Sequence, residues 1–158
     1  MGELEEKDGQ ISVDVEVTNT GDVAGKDVVE VYYKPPYTNG GIEKSSANLI
    51  EFAKTDLLQP GESQTVTVTF SIEDMASYDE NNAKAYVLEK GDYVISINSD
   101  SHTVLDQKTY TADKDVVYKG ENKRASDDTA ATNVFEDAKG DVTYLSRCLL
   151  YTSPSPRD

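Results

Sequence analysis

"ISVDVEV" at residues 11–17 and "TVTVTFSI" at residues 65–72 decide the fold class. In the first, Ile11, Val13, Val15 and Val17 alternate with Ser12, Asp14 and Glu16; in the second, Val66, Val68, Phe70 and Ile72 alternate with Thr65, Thr67 and Thr69. Successive strand residues point to opposite faces, so this period of two gives each segment one apolar face for a core and one polar face for water. "YVISIN" (93–98) repeats the pattern through Tyr93, Ile95 and Ile97, and "DVVEVYYK" (27–34) is apolar on both sides, as in a strand covered on both faces. Weaker strands are expected over 103–111 and over 49–57, the latter interrupted at Ala53-Lys54. Asn19-Thr20-Gly21-Asp22, Gln59-Pro60-Gly61-Glu62 and Glu89-Lys90-Gly91-Asp92 supply the turn residues between them. Short strands with turns at roughly eight to twelve residues are the rhythm of an antiparallel β-sandwich. Ser71-Ile72-Glu73-Asp74 reads as a capping box, which predicts one helical turn and no longer helix before the C-terminal third.

Composition narrows function. A chain of 158 residues with 37% hydrophobic content suits one domain with some additional chain. Thirty acidic against fifteen basic residues leave a formal charge of -15, which repels phosphate backbones and anionic lipid, so neither nucleic acid nor a membrane is an expected partner. No apolar run approaches the roughly 20 residues of a membrane helix, and "MGELEE" lacks the basic and apolar regions of a signal peptide. Compartment stays open. The single cysteine, Cys148, cannot form an internal disulfide, and the single histidine, His102, has no neighbours of metal-ligand type, so no metal or cofactor is expected. His102 lies in "NSDSHT" and reads as an exposed loop residue.

From about Lys119 the chain becomes polar, and "KGENKRASDDTAAT" has the composition of a linker. "NVFEDAKGDVTYLSR" restores some apolar residues and reads as the start of a following module, with a strand folding back on the sandwich as the alternative. The expected division is therefore 1–118 sandwich, 119–147 linker and start of a module, and 148–158 a separate tail.

Three stretches, "VTNTGDVAGKDVVEVYY" (17–33), "PYTNGGIEKSSANLIEFAKTDLLQPGES" (36–63) and "EKGDYVISINSDS" (89–101), together resemble the fibronectin type III-like domain of glycoside hydrolase family 3. Asn19, Thr20, Gly21, Ala24 and Gly25, then Leu49, Phe52, Leu57, Pro60, Gly61 and Glu62, carry the likeness. The fold class it implies is an all-β, antiparallel immunoglobulin/fibronectin type III-like sandwich with a largely irregular C-terminal extension. Only "MGELEEKDGQ" precedes Ile11, so most of the first strand of such a sandwich is expected to be missing, leaving a marginal or self-associating chain with a bare sheet edge.

The resemblance further implies a β-glucosidase-type parent whose nucleophilic Asp belongs to a barrel domain and whose acid/base residue belongs to a second domain. Neither segment is present here. Retaining hydrolysis needs two carboxyls about 5 Å apart with their pKa values driven apart. Asp127-Asp128 and Glu136-Asp137 sit in polar stretches that supply no such environment, so no catalytic residue is expected in this chain. The module would be a non-catalytic accessory that braces the catalytic domains in cis. "GDVTYLSR" (140–147) is similar to the segment that leads toward the barrel in a subset of the family. The tail "CLLYTSPSPRD" (148–158) resembles the in-frame translation of a transposase-based sequencing adapter and is read as non-native, ahead of a docked apolar tail or a reactive thiol.

A second function class remains: a stand-alone immunoglobulin-like carbohydrate-binding or adhesion module of a bacterial surface protein, with Tyr32, Tyr37 or Tyr78 stacking on sugar. The loop "KPPYTNGGIEKSSAN" (34–48) is the candidate site under the first reading. Tyr37 and Ile42 are its expected apolar anchors at an interdomain interface or active-site rim, and Lys44 is expected to reach a carboxylate or carbonyl. Interface packing is weighed ahead of an oligosaccharide bound at the loop.

Overall fold

The computed structural model describes residues 1–142, 144, 146 and 147, so the adapter-like stretch 148–158 lies outside the described residues. Among the described residues ten strands form: β1 Glu5–Lys7, β2 Gln10–Thr18, β3 Val28–Lys34, β4 Asn48–Lys54, β5 Ser63–Ser71, β6 Ser77–Asp79, β7 Ala85–Leu88, β8 Gly91–Asn98, β9 Val104–Ala112 and β10 Val116–Tyr118. They make one sheet of order β1-β2-β5, one of order β4-β3-β8-β9 and a small third sheet β10-β7-β6, all paired antiparallel.

The alternation read from sequence sets the register of β2 on β5. Ile11 lies opposite Phe70, Val13 opposite Val68 and Val15 opposite Val66, and all six are buried. On the wet face the intervening side chains pair across the strands: Ser12 Oγ with Thr69 Oγ1 at 2.8 Å, Thr67 Oγ1 donating to Asp14 Oδ1 at 2.5 Å, and Thr18 Oγ1 with Ser63 Oγ at 2.7 Å. A one-residue slip would put this polar row into the core. Facing them from the four-stranded sheet are Val29, Val31 and Tyr33 of β3 and Tyr93, Ile95 and Ile97 of β8. Met75, Leu88 and Ala112 close the same core. Ile95 is completely buried, so Ile95→Ala would cost about 2–5 kcal/mol through lost burial plus the cavity left behind.

The turns behave as their residues require. Asn19 joins two of them: its Nδ2 donates to Val23 O at 3.0 Å and Leu58 O at 2.9 Å, and its Oδ1 accepts from Gly21 N at 3.0 Å. Its backbone bonds Glu62 O and Gly61 N, so the β2–β3 turn and the β4–β5 turn are held as one piece.

Several details differ from expectation. Residues 5–7 do form a strand on β2, with Glu6 opposite Ile11, because Asp8 and Gly9 at φ 51° and 78° make a tight two-residue hairpin turn. Met1 and Leu4 pack against the core beside it. Ile72–Met75 is a 3-10 turn as expected of a helical turn, but Ser71 makes no side-chain cap bond, so the capping box does not close. β4 ends at Lys54, and the chain beyond it is held by a bridge of Leu58 to Gly25 rather than by continued strand. Beyond β10 the chain lies against the small sheet: Arg124 covers the Tyr86 ring at 3.7 Å and forks onto Asp127, and Ala125 N reaches Glu73 Oε1 at 2.7 Å.

Candidate functional site

The loop between β3 and β4 is ordered by its own sequence. Gly41 N donates to Thr38 O at 2.9 Å across a turn whose third residue, Gly40, has φ 79°, the left-handed position that favours glycine. Pro36 packs on the backbone of Gly91, where φ is 137° and an added Cβ would stand 3.2 Å from the proline ring. Lys44 turns inward. Its side chain is 2% exposed, its Nζ donates to Pro36 O at 2.9 Å, and it forms an ion pair with Glu89. The Glu89-Lys90-Gly91 turn therefore has two tasks besides reversing the chain: a carboxylate for Lys44 and a bare backbone for Pro36.

Lys44 thus finds the carboxylate and the carbonyl inside this chain. Tyr37 and Ile42 are both half-buried. Tyr37 donates its hydroxyl to Glu43 Oε1 at 3.0 Å and lies under the Arg147 guanidinium at 4.6 Å, while Arg147 N reaches Glu43 Oε2 at 2.9 Å. The structure brings Tyr37 and Lys44 onto one loop wall but points the ammonium into the fold and the phenol toward residue 147.

Through Glu43, Lys44 and Ser45 the loop borders a groove of about 950 Å³ on the outer face of the four-stranded sheet, also lined by Tyr32, Ser96, Asn98, His102 and Gln107. Register orders this face. Phe52, Glu30, Asn98 and Val104 lie side by side across the strands in one row, and Leu49, Tyr32, Ser96 and Gln107 in the next. The middle is buried, with Ser96 6%, Asn98 5% and Tyr32 9% exposed. Asn98 Oδ1 has no hydrogen-bond partner among the described residues. The rims are open, with Phe52 61%, Leu49 50% and Val104 49% exposed. Tyr32 donates its hydroxyl to Glu30 Oε2 at 3.1 Å; burial first, then the Glu30 and Asp100 carboxylates, push its pKa upward.

The three tyrosines of the sugar-stacking reading do not share a platform. Tyr32 is buried in the sheet face, Tyr37 is covered by Arg147, and Tyr78 meets Tyr86 edge-on at 5.6 Å. His102 is exposed in the β8–β9 turn, where its backbone N–H and that of Thr103 both donate to Asp100 Oδ1.

One member of each acidic pair, Asp127 and Glu136, is tied to a cation that favours its ionised form. The forked hydrogen bond from Arg124 keeps the Asp127 carboxyl below its usual range, and the hydrogen bond from Lys84 does the same for Glu136. Burial alone would raise the Asp79 carboxyl, but backbone N–H groups of Ala83, Asn82 and Asn81 together hold it low. The Asp74 carboxyl is pushed up by burial and then by Glu73, with Arg124 pulling the other way. Among the described residues, no group of three or more His, Cys, Asp or Glu side chains is placed to hold a metal ion.

Sequence reading missed Asn98 and Ser96, which stand at outward positions of an alternating strand and so read as wet. The signal was in the neighbouring strand: a β3 segment apolar on both faces implies that the outer face is also covered.

The family model of the fibronectin type III-like domain matches residues 27–101. β-Glucosidase A of Butyrivibrio fibrisolvens is 42% identical over 111 residues, which covers 68% of this chain and 13% of that enzyme. The β-glucosidase of Kluyveromyces marxianus is 33% identical over 114 residues, again 13% of its length. Among solved structures, β-glucosidase 3B from Thermotoga neapolitana, in complex with α-D-glucose, superposes with a TM-score of 0.65 at 33% identity, covering 75% of this chain and 16% of that one.

Proposed function

Residues 27–101 belong to the fibronectin type III-like domain family, and from that premise we propose that the chain is a non-catalytic accessory module of a β-glucosidase-type family 3 enzyme, bracing its catalytic domains in cis. The observation that carries this reading is the confinement of the likeness to 13% of the length of each of two β-glucosidases. The charge chemistry supports it: Asp127 and Glu136 are each tied to a cation that holds them ionised, and a retaining glycosidase instead needs one carboxyl kept protonated.

Within this reading, 1–118 is the module and 119–147 the connection and start of the next one. The loop bearing Tyr37, Ile42 and Lys44 lies at the interdomain interface or the active-site rim. Tyr37 and Ile42 are its apolar anchors, and Lys44 gives the loop its shape through Glu89 and Pro36.

The test uses the 158-residue chain beside a chimera, β-glucosidase A of B. fibrisolvens with its matched 111-residue segment exchanged for the aligned residues of this chain. The chain alone hydrolyses no aryl β-glucoside and is not retained on insoluble glucan, while the chimera folds and turns over. Tyr37→Ala with Ile42→Ala lowers the chimera's melting temperature with a modest change in KM. Hydrolysis by the isolated chain sinks the accessory reading; a large rise in KM at unchanged melting temperature moves the loop from interface to substrate.

A further inference from the structure

Leu49 and Phe52 belong to the stretch that carries the family resemblance, yet neither is in the core; they stand 50% and 61% exposed at the β4 edge of the four-stranded sheet. Val104 and Leu105, 49% and 65% exposed, stand at the opposite rim on β9. Between the rims lies Asn98, 5% exposed, whose Oδ1 accepts nothing among the described residues. A buried acceptor left without a donor is costly, and apolar rims around it keep paying an exposure cost until something covers them.

We propose that this outer face, from Phe52 and Leu49 across to Asn98 and Val104, is the surface on which a neighbouring domain of the parent enzyme docks. The docked domain lays apolar side chains on both rims and brings a hydrogen-bond donor, from an amide or a guanidinium, onto Asn98 Oδ1. The inference rests on the accessory-module reading and names its surface.

Three observations favour that occupant over others. The β-glucosidases that share this segment hold the other 87% of their length outside it (100% less the 13% matched), so the parent type has a partner surface to offer. A second copy related by a two-fold axis would bring the Glu30 and Asp100 carboxylates near those of its partner, on a chain already at -15. A saccharide would need an open aromatic platform, but the Tyr32 ring is 9% exposed and its hydroxyl is engaged by Glu30. Apolar rims around a largely desolvated polar centre with one unmet acceptor are what a domain interface completes.

The experiment compares Phe52→Thr and Leu49→Thr in two settings, the isolated chain and the β-glucosidase A chimera, with Val23→Thr as control because Val23 is 79% exposed in the β2–β3 turn, away from this face. Threonine keeps strand propensity and adds no charge. In the isolated chain both variants melt as the parent does. In the chimera each lowers the melting temperature by several degrees, the double variant by more, and Val23→Thr by nothing. Chimera variants that melt like the unsubstituted chimera overturn this surface while the accessory reading stands. A chimera that fails to fold where β-glucosidase A folds overturns the reading beneath it. Sedimentation showing the isolated chain as a dimer that Phe52→Thr dissociates assigns the face to a second copy, and chemical-shift changes at Asn98 on adding cello-oligosaccharide assign it to sugar; either overturns the proposal.

Discussion

Breaking the Lys44–Glu89 pair from its two ends should cost different amounts. The Lys44 side chain is 2% exposed and the Glu89 side chain 34%. Glu89→Gln leaves an ammonium in the protein interior with Pro36 O at 2.9 Å and the neutral amide as its acceptors. An uncompensated buried charge of this kind costs about 3–5 kcal/mol, against about 5–15 for a whole domain. Lys44→Met removes the buried charge itself, keeps an unbranched stem of similar length in the same space, and leaves Glu89 a third open to water, where it can be hydrated. That loss should be about 1 kcal/mol or less. The chain has no tryptophan, so urea unfolding is followed by tyrosine fluorescence and far-UV circular dichroism. The double variant should resemble Lys44→Met, because the second change removes a partner already gone. Equal losses for the two single variants, or a greater loss for Lys44→Met, would refute the argument that the desolvated ammonium is the expensive member.

Three other outcomes follow from the same structure. Asn19→Ala removes an amide that bridges the Val23 and Leu58 carbonyls and the Gly21 N–H, so it should destabilise by about 1–3 kcal/mol in urea unfolding, with Asn19→Asp intermediate because it keeps the acceptor only. Burial raises the pKa of Tyr93 above its ordinary value, and of Tyr33, Tyr110 and Tyr118 with it. The folded chain then keeps protons that the unfolded chain releases near pH 10, so stability is whole below about pH 10 and falls as pH rises beyond it; a flat unfolding free energy between about pH 9 and pH 11.5 contradicts this. Arg124→Ala loses the fork to Asp127 and the stack on Tyr86, and should speed proteolytic cleavage within 119–135 while the melting of the sandwich changes little; unchanged cleavage would mean that other contacts hold the segment.

The fold was legible where burial follows a period of two. β2, β5 and β8 match their alternating segments because one face of each is core, and β3 matches the segment read as apolar on both faces. β1 was not legible because Glu5, Glu6 and Lys7 are all polar and exposed; its one cue is the Asp8-Gly9 turn, which only the pairing with β2 makes meaningful. β6, β7 and β10 are three or four residues long, too short for a period to show. At the candidate site the loop was visible from its prolines and glycines. The partner of Lys44 was not, because Glu89 lies 45 positions along the chain (89 minus 44) and meets it only once β3 and β8 pair. Asn98 was hidden for a different reason: alternation tells which face a residue points to, not whether that face stays wet.

The pairing of β2 with β5 also sets a timetable for the chain as it is made. Thr18 meets Ser63 across 45 residues, and Ser12 meets Thr69 across 57, whereas Asp92 and Thr111 on β8 and β9 are 19 apart. At about 5–20 residues per second of translation, Ile11, Val13 and Val15 leave the ribosome roughly 3 to 12 seconds before their partners Phe70, Val68 and Val66. For that interval the apolar face of Ile11, Val13 and Val15 lacks Phe70, Val68 and Val66, which cover it in the folded sheet. Glu5, Glu6, Asp14 and Glu16 put charge of one sign beside that face, the kind of flanking charge that disfavours pairing of exposed apolar strands.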